Sequence, residues 1–180
     1  MALAYGGQLE EAREELAKAE RLWAGTGVLR DILWGFHLRY GDPKIAKREA
    51  GFSGEALDTY LAARANPTPA NIEKHVSRWR GRVPRNTGEV GYGIQSLAEF
   101  NQTDELIRLL NSAPTEALAS ISYILFRPSF ANFQRDARFM AVAGRIGLAD
   151  YWLSTGEWPD FCRRPNWPYD CKAEAGKHAR

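Results

Sequence analysis

The chain is poor in metal-ligating side chains. It has two cysteines and three histidines in 180 residues. Eight residues separate Cys162 from Cys171, which is not zinc-knuckle spacing. His178 adds a third ligand type without a fourth, and His37 and His75 are far off in sequence. A structural zinc site needs four ligands, usually in closely spaced pairs, so no metal is expected. Charge of one sign is also missing. Twenty-four Lys and Arg against 22 Asp and Glu leave a formal charge of +2, too little to mark a partner as nucleic acid or acidic lipid. No apolar run approaches the ~18–20 residues that span a bilayer, so no membrane contact is expected within this segment, and there is no signal peptide in this stretch. Alternating strand patterns of useful length are absent too, which leaves an all-α chain.

Amphipathic helices fill the space. Leu9, Ala12, Leu16, Ala19 and Trp23 recur at steps of three and four, with Glu10, Glu11, Arg13, Glu14 and Lys18 largely off that face. Gly25 and Gly27 are expected to end this helix. Val28, Leu29, Ile32, Leu33, Phe36 and Tyr40 form a second stripe, closed by Gly41. Asp42 and Pro43 then read as a cap and a first helical residue.

Gly7 and Gly41 lie 34 residues apart, as do Ala12 and Ala46. The segment GGQLEEAREELAKAERLW, with its Gly-x-x-x-x-Ala-x-x-x-Leu-x-x-Ala order, resembles the second helix of a tetratricopeptide repeat. In that family the glycine makes the turn and the small residues let paired helices approach. GDPKIAKREAGFS keeps the glycine and first alanine but has Ala50 and Ser53 where Leu16 and Ala19 stood. NQTDELIRLLNSA, at 101–113, places Leu106, Leu110 and Ala113 at the three positions and Asn101 at the glycine. Stacked antiparallel helical hairpins are expected over residues 1–156: two repeat-like units at 1–53, an irregular part at 54–100 and further hairpins at 101–156. Residues 157–180 form an irregular aromatic tail that caps the array. Only MALAY precedes Gly6, so the first hairpin lacks most of one arm, and a longer parent protein is expected.

Punctuation divides the rest. Ser53 is expected to cap a helix over 54–65, with Ala56, Leu57, Tyr60 and Leu61 inward. Thr68 and Pro69 start one that runs to about Trp79. Residues 81–88 read as loop, and 89–100 as a weaker helix, because Gly91 and Gly93 each cost about 1 kcal/mol relative to alanine. Thr103 and Thr115 are expected to cap 104–111 and 116–126. Phe139, Val142, Ala143 and Ile146 form one face, and Gly147 precedes a helix over 148–155.

Nothing reads as catalytic or cofactor-binding. RWRGRVPR, at 78–85, interleaves arginines with Trp79, but it sits where a helix ends and where cations complement the helix dipole. GEVGYG, at 88–93, follows no strand and lacks the full dinucleotide fingerprint, so it reads as a flexible turn. The carboxylates, Asp150 beside Tyr151 and Glu73 near His75 among them, form no constellation.

The tail holds the remaining signal. Tyr151, Trp152, Trp158, Phe161, Trp167 and Tyr169 crowd into residues 151–171 with both cysteines. Such a tail either folds back over the last helices or presents a surface for proline-containing ligands. Cys162 and Cys171 fit a disulfide, which implies an oxidising compartment, or two reduced structural thiols. FRPSFANFQRDARFMAVAGRIGLADYWLSTGEWPDFC and PYDCKAEA resemble the C-terminal segments of bacterial multidomain regulators, which place a winged-helix or nucleotide-cyclase module before tetratricopeptide repeats. Arg135, Asp136, Arg138, Phe139, Gly147, Leu148, Tyr151, Trp152 and the run Trp158, Pro159, Asp160, Phe161, Cys162 carry the likeness. It implies a non-catalytic, protein- or peptide-binding regulatory part with no nucleic-acid contact of its own. The expected location is cytoplasmic, or periplasmic if the cysteines are joined. The alternatives are a periplasmic small-molecule sensor and an enzyme of unrecognised type.

Overall fold

A computed structural model describes residues 2–50 and 53–179. Gly51 and Phe52, which close the second repeat-like segment, and the terminal Arg180 lie outside the described residues. Among those described, every regular element is helical. The chain divides into two units, Met1–Arg78 and Trp79–Arg180.

The first unit contains α1 (Ala2–Tyr5), α2 (Leu9–Leu22), α3 (Gly27–His37), α4 (Pro43–Glu49), α5 (Glu55–Ala65) and α6 (Pro69–Val76). Each odd-numbered helix packs on the helix that follows it, and α2 on α3 and α4 on α5 continue the series. The local signals work as expected at most starts. Asp42 accepts a hydrogen bond from the Lys44 N–H at 2.8 Å with Pro43 next, and Thr68 accepts one from Asn71 at 3.2 Å with Pro69 next. Gly27 opens α3 rather than ending α2, because Thr26 takes the cap and accepts from Leu29 N–H at 3.2 Å. Ser53 caps nothing; Gly54, with φ 144°, occupies that position. The last turn of α6 also stops at Val76, short of Trp79.

Helix α5 is buried round most of its circumference, with Leu57, Thr59, Tyr60, Leu61 and Ala63 all inside. Its polar groups hold the carbonyl end of α3. Arg64 donates to the carbonyls of His37 at 2.9 Å, Leu38 at 2.6 Å and Gly41 at 3.3 Å, and Tyr60 donates to Leu38 at 3.2 Å. A cation and a hydroxyl thus satisfy carbonyls that the helix leaves unpaired. His75 on α6 is fully buried, with Nδ1 3.2 Å from the Thr59 hydroxyl, and burial lowers its pKa to about 4.

The second unit contains α7 (Thr87–Glu99), α8 (Thr103–Ser112), α9 (Thr115–Ser120), two 3-10 turns (Ser122–Phe126 and Pro128–Phe130), α10 (Ala131–Gln134), α11 (Arg138–Arg145) and α12 (Leu148–Thr155). A further 3-10 turn (Asp160–Arg163) and α13 (Cys171–Gly176) complete it. Residues 88–93 are no flexible turn; they form the opening turns of α7, capped by Asn86, which accepts from Glu89 N–H at 2.9 Å. Glycine survives there because α8 comes so close. A Cβ on Gly93 would stand 2.6 Å from Leu109 and 2.8 Å from Trp79, whereas one on Gly91 would meet Ile121 and Ile124 at an ordinary 3.5 Å. Thr103 and Thr115 are first helical residues, not caps, and the helix expected over 116–126 breaks into α9 and a 3-10 turn.

The turn between α1 and α2 matches the turn between α7 and α8. Gly7 (φ 85°) and Asn101 (φ 55°) both take the left-handed conformation. The next residues, Gln8 and Gln102, have nearly equal dihedrals of −83°, 69° and −89°, 63°. In both, the glutamine N–H reaches the carbonyl five residues back at 2.9 Å, the closing bond of a Schellman motif. Asparagine tolerates that conformation well enough to replace glycine.

Two outcomes test this packing. Gly91→Ala should stabilise by up to about 1 kcal/mol through helix propensity, whereas Gly93→Ala should destabilise by about 1–3 kcal/mol through overpacking, both read by urea denaturation. The buried His75 sets a pH dependence. Its folded-state value is depressed, so the unfolded chain takes up the proton first as pH falls below 6.5. Stability should therefore drop by about 2 kcal/mol between pH 7 and 5, a slope that His75→Gln should flatten.

Candidate functional site

The tail folds onto α11 and α12. Phe139, fully buried on α11, has ring centres of Phe133 and Phe161 at 5.4 Å and of Phe126 at 6.3 Å. Phe161 in turn meets Trp167 at 5.1 Å, and Trp167 meets Tyr169 at 6.1 Å. Trp152 is buried and lies 6.1 Å from Trp158 and 6.4 Å from Phe126. Five of the six expected tail aromatics thus join one chain of ring contacts. Tyr151, beside Trp152 on α12, stays 52% exposed.

Cys162 and Cys171 are joined as a disulfide with Cα atoms 5.9 Å apart. The bond links the last 3-10 turn to the first residue of α13. That helix was not expected within an irregular tail. Asp170 caps it by accepting from Ala173 N–H at 3.0 Å, and Ala175 is buried where α13 packs on α11 and α12. The cap residue was a usable signal, since Asp followed by CKAEA has good helix propensity. Within the closed loop, Asn166 takes φ 57° and turns the chain so that Trp167 returns to Phe161. The Tyr169 hydroxyl donates to the Gln134 carbonyl at 2.5 Å. Burial pushes this hydroxyl up to about 12, so it is a donor at every physiological pH. Trp167 Nε1 is buried without a hydrogen bond of normal geometry, although the indole is close enough to the Tyr169 hydroxyl to oppose part of that shift.

A separate cleft of about 520 Å³ opens in the first unit, lined by Leu16, Ala17 and Glu20 of α2 and by Phe36, His37 and Tyr40 of α3 and its end, with Asp42 and Ile45 beyond. Its floor is apolar and its rim carries charge of both signs, since Arg13 also borders it. The His37 imidazole accepts the Asp42 N–H at Nδ1, 3.0 Å away, which puts its own proton on Nε2. Partial burial lowers its pKa, against the Asp42 carboxylate, which pulls the other way. The ring is therefore neutral at neutral pH. Sequence periodicity placed Leu16 and Phe36 inward but gave no sign that α2 and α3 part to leave a cleft.

The arginines of RWRGRVPR all have carboxylate partners: Arg78 with Glu55, Arg80 with Glu105 at 3.1 Å, and Arg82 and Arg85 with Glu89 at 3.1 and 2.7 Å. Hydrogen bonds from the Arg85 side chain and backbone, joined by Arg82, hold Glu89 down at about 2. Among the described residues no cluster of three His, Cys, Asp or Glu could hold a metal ion, and no helix is long and apolar enough to cross a membrane. No family model matches the chain, and neither a curated protein nor a solved structure is significantly similar to it.

The disulfide and the ring chain carry separable energies. Cys162→Ser with Cys171→Ser should lower stability by about 2.5–3 kcal/mol, the loop-entropy value for so short a closed loop. Phe161→Ala should cost about 3–5 kcal/mol whether or not the disulfide is present. Guanidinium denaturation of the single and combined variants checks both.

Proposed function

We propose that this chain is a non-catalytic, peptide-binding regulatory domain built of tetratricopeptide-like hairpins, of the kind its tail resembles in bacterial regulators. The observation that carries the reading is the cleft between α2 and the α3–α4 hairpin, with an apolar floor of Leu16, Phe36 and Ile45 and a polar rim of Glu20, His37 and Asp42. Such a lining buries apolar side chains of an extended or helical peptide while fixed polar groups set its register. The matching turns before α2 and α8 support the hairpin-repeat part of the reading.

One observation favours a second reading. The Cys162–Cys171 disulfide suits an oxidising compartment, which fits a periplasmic sensor better than a cytoplasmic adaptor. Alkylation of thiols in intact cells, read by mass spectrometry, separates the two: a disulfide-linked peptide favours the sensor, and two alkylated cysteines favour the adaptor.

Selection of random peptides against the full chain tests the main proposal. Peptides binding with micromolar affinity are expected, and Ala17→Arg, which fills the cleft with a good helix former, should weaken them about tenfold or more by fluorescence anisotropy. Failure to select any peptide, or binding indifferent to Ala17→Arg, would sink it.

A further inference from the structure

Most arginines of the second unit are engaged. Arg138 spans Asp136 at 2.6 Å and Asp104 at 2.9 Å, Arg108 meets Glu105 at 2.7 Å, and Arg145 donates to the carbonyls of Asn111 and Ala113 at 3.1 and 3.2 Å. Around Trp167 the pattern breaks. Arg135 places its guanidinium carbon 5.1 Å from the centre of the Trp167 ring, and Arg164 places its own at 6.0 Å. Both side chains are exposed, and among the described residues neither forms an ion pair, nor does exposed Arg163 beside them in sequence. Three carboxylates of this region are engaged elsewhere. Asp136 accepts three groups of Arg138, Asp170 caps α13, and Glu174 pairs with Lys177 at 2.5 Å. Asp160 is exposed and makes no ion pair among the described residues.

Two like charges beside one ring are held there by the fold. Arg135 follows Gln134, whose carbonyl takes the Tyr169 hydroxyl, so the backbone carrying one cation is tied to the loop carrying the other. The disulfide closes that loop, and Asn166 turns Trp167 back onto Phe161. Residues 29 apart in sequence, Arg135 and Arg164, thus share an aromatic neighbour. Stacking on an indole orients a guanidinium and leaves its N–H edge free for an oxyanion.

We infer that this arginine-flanked rim of Trp167, with Arg135, Arg164 and Arg163, is a docking surface for an acidic peptide segment. Charge complementarity selects the partner: three exposed guanidiniums have no carboxylate partner among the described residues, and planar forks match carboxylates in two-point hydrogen bonds. A single-stranded nucleic acid fits less well, because it needs an open stacking platform. Trp167 is half-buried, with Phe161 tilted only 32° from it at 5.1 Å and guanidiniums over its ring. The surface is separate from the first unit's cleft and stands whether or not that cleft binds peptide.

The test is anisotropy of fluorescein-labelled decaglutamate titrated with the oxidised full chain, at low and at physiological ionic strength. Binding is expected at both, weaker at the second. Arg135→Gln with Arg164→Gln should lower affinity about tenfold or more, and Arg135→Lys with Arg164→Lys should lower it about threefold, since charge remains but the planar fork is lost. Lys44→Gln with Lys74→Gln, an equal charge change at exposed sites of the first unit, should leave it unchanged. Addition of decaglutamate should also shift the Trp167 indole resonance of the unmutated chain, a readout that needs no variant to fold. The inference is overturned by absence of decaglutamate binding, by an equal loss in the lysine pair, by an unmoved Trp167 resonance, or by oligo(dT) of the same length binding as tightly.

Discussion

Phe139 is the ring on which the second unit closes. Fully buried on α11, it meets Phe126, Phe133 and Phe161, which come from a 3-10 turn, from α10 and from the tail. Edge-to-face contacts of this kind add to simple burial because ring edges and faces carry opposite partial charge. The arrangement explains how a region of short helices holds together. None of α9 to α13 exceeds eight residues, and helices so short gain their stability from tertiary packing rather than from their own hydrogen bonds. The disulfide works at the periphery of the same cluster. It shortens the entropic reach of the tail, while Phe161 supplies the contact energy that directs it.

The first unit solves a different problem with polar groups. Helix α3 ends inside the unit, where its last carbonyls would be costly if unpaired. Arg64 and Tyr60 of α5 take them, which fixes the start of the segment carrying Asp42. The Asp42 N–H in turn orients His37. The polar rim of the cleft is therefore set by the same bonds that cap α3, and its apolar floor by the stripes of α2 and α3.

Arginine serves three purposes across these units. It closes helix ends at carbonyls, as Arg64 and Arg145 do. It pairs with carboxylates, as Arg82, Arg85 and Arg138 do. At Trp167 it lies against an aromatic ring with no counter-ion among the described residues. The first two uses satisfy the protein's own groups. The third leaves hydrogen-bond donors facing outward, which is the physical basis for assigning a partner there.

Helix identity was legible in the sequence wherever a periodic apolar stripe met a cap: Asp42 with Pro43, Thr68 with Pro69, and Gly147 before α12. Asn101 could be read as a stand-in for glycine because its spacing to Leu106, Leu110 and Ala113 repeats that of Gly7, and its left-handed backbone bears out the substitution. Local rules failed where a distant residue outweighed them. Propensity penalises Gly91 and Gly93, so that 89–100 read as a weak helix and 88–93 as a flexible turn, yet Leu109 and Trp79 leave no room for a side chain at Gly93. The tail's aromatics and cysteines marked it as notable, and Asp170 marked the start of α13, but the meeting of Arg135 with Arg164 could not be found from spacing. Sequence by itself determined the all-helical class and most helix starts, since these depend on residues three or four apart. Which helix faces part to form a cleft, and which cations converge on Trp167, was decided by tertiary packing, because those neighbours are brought together only when the rings around Phe139 and the carbonyls around Arg64 are satisfied.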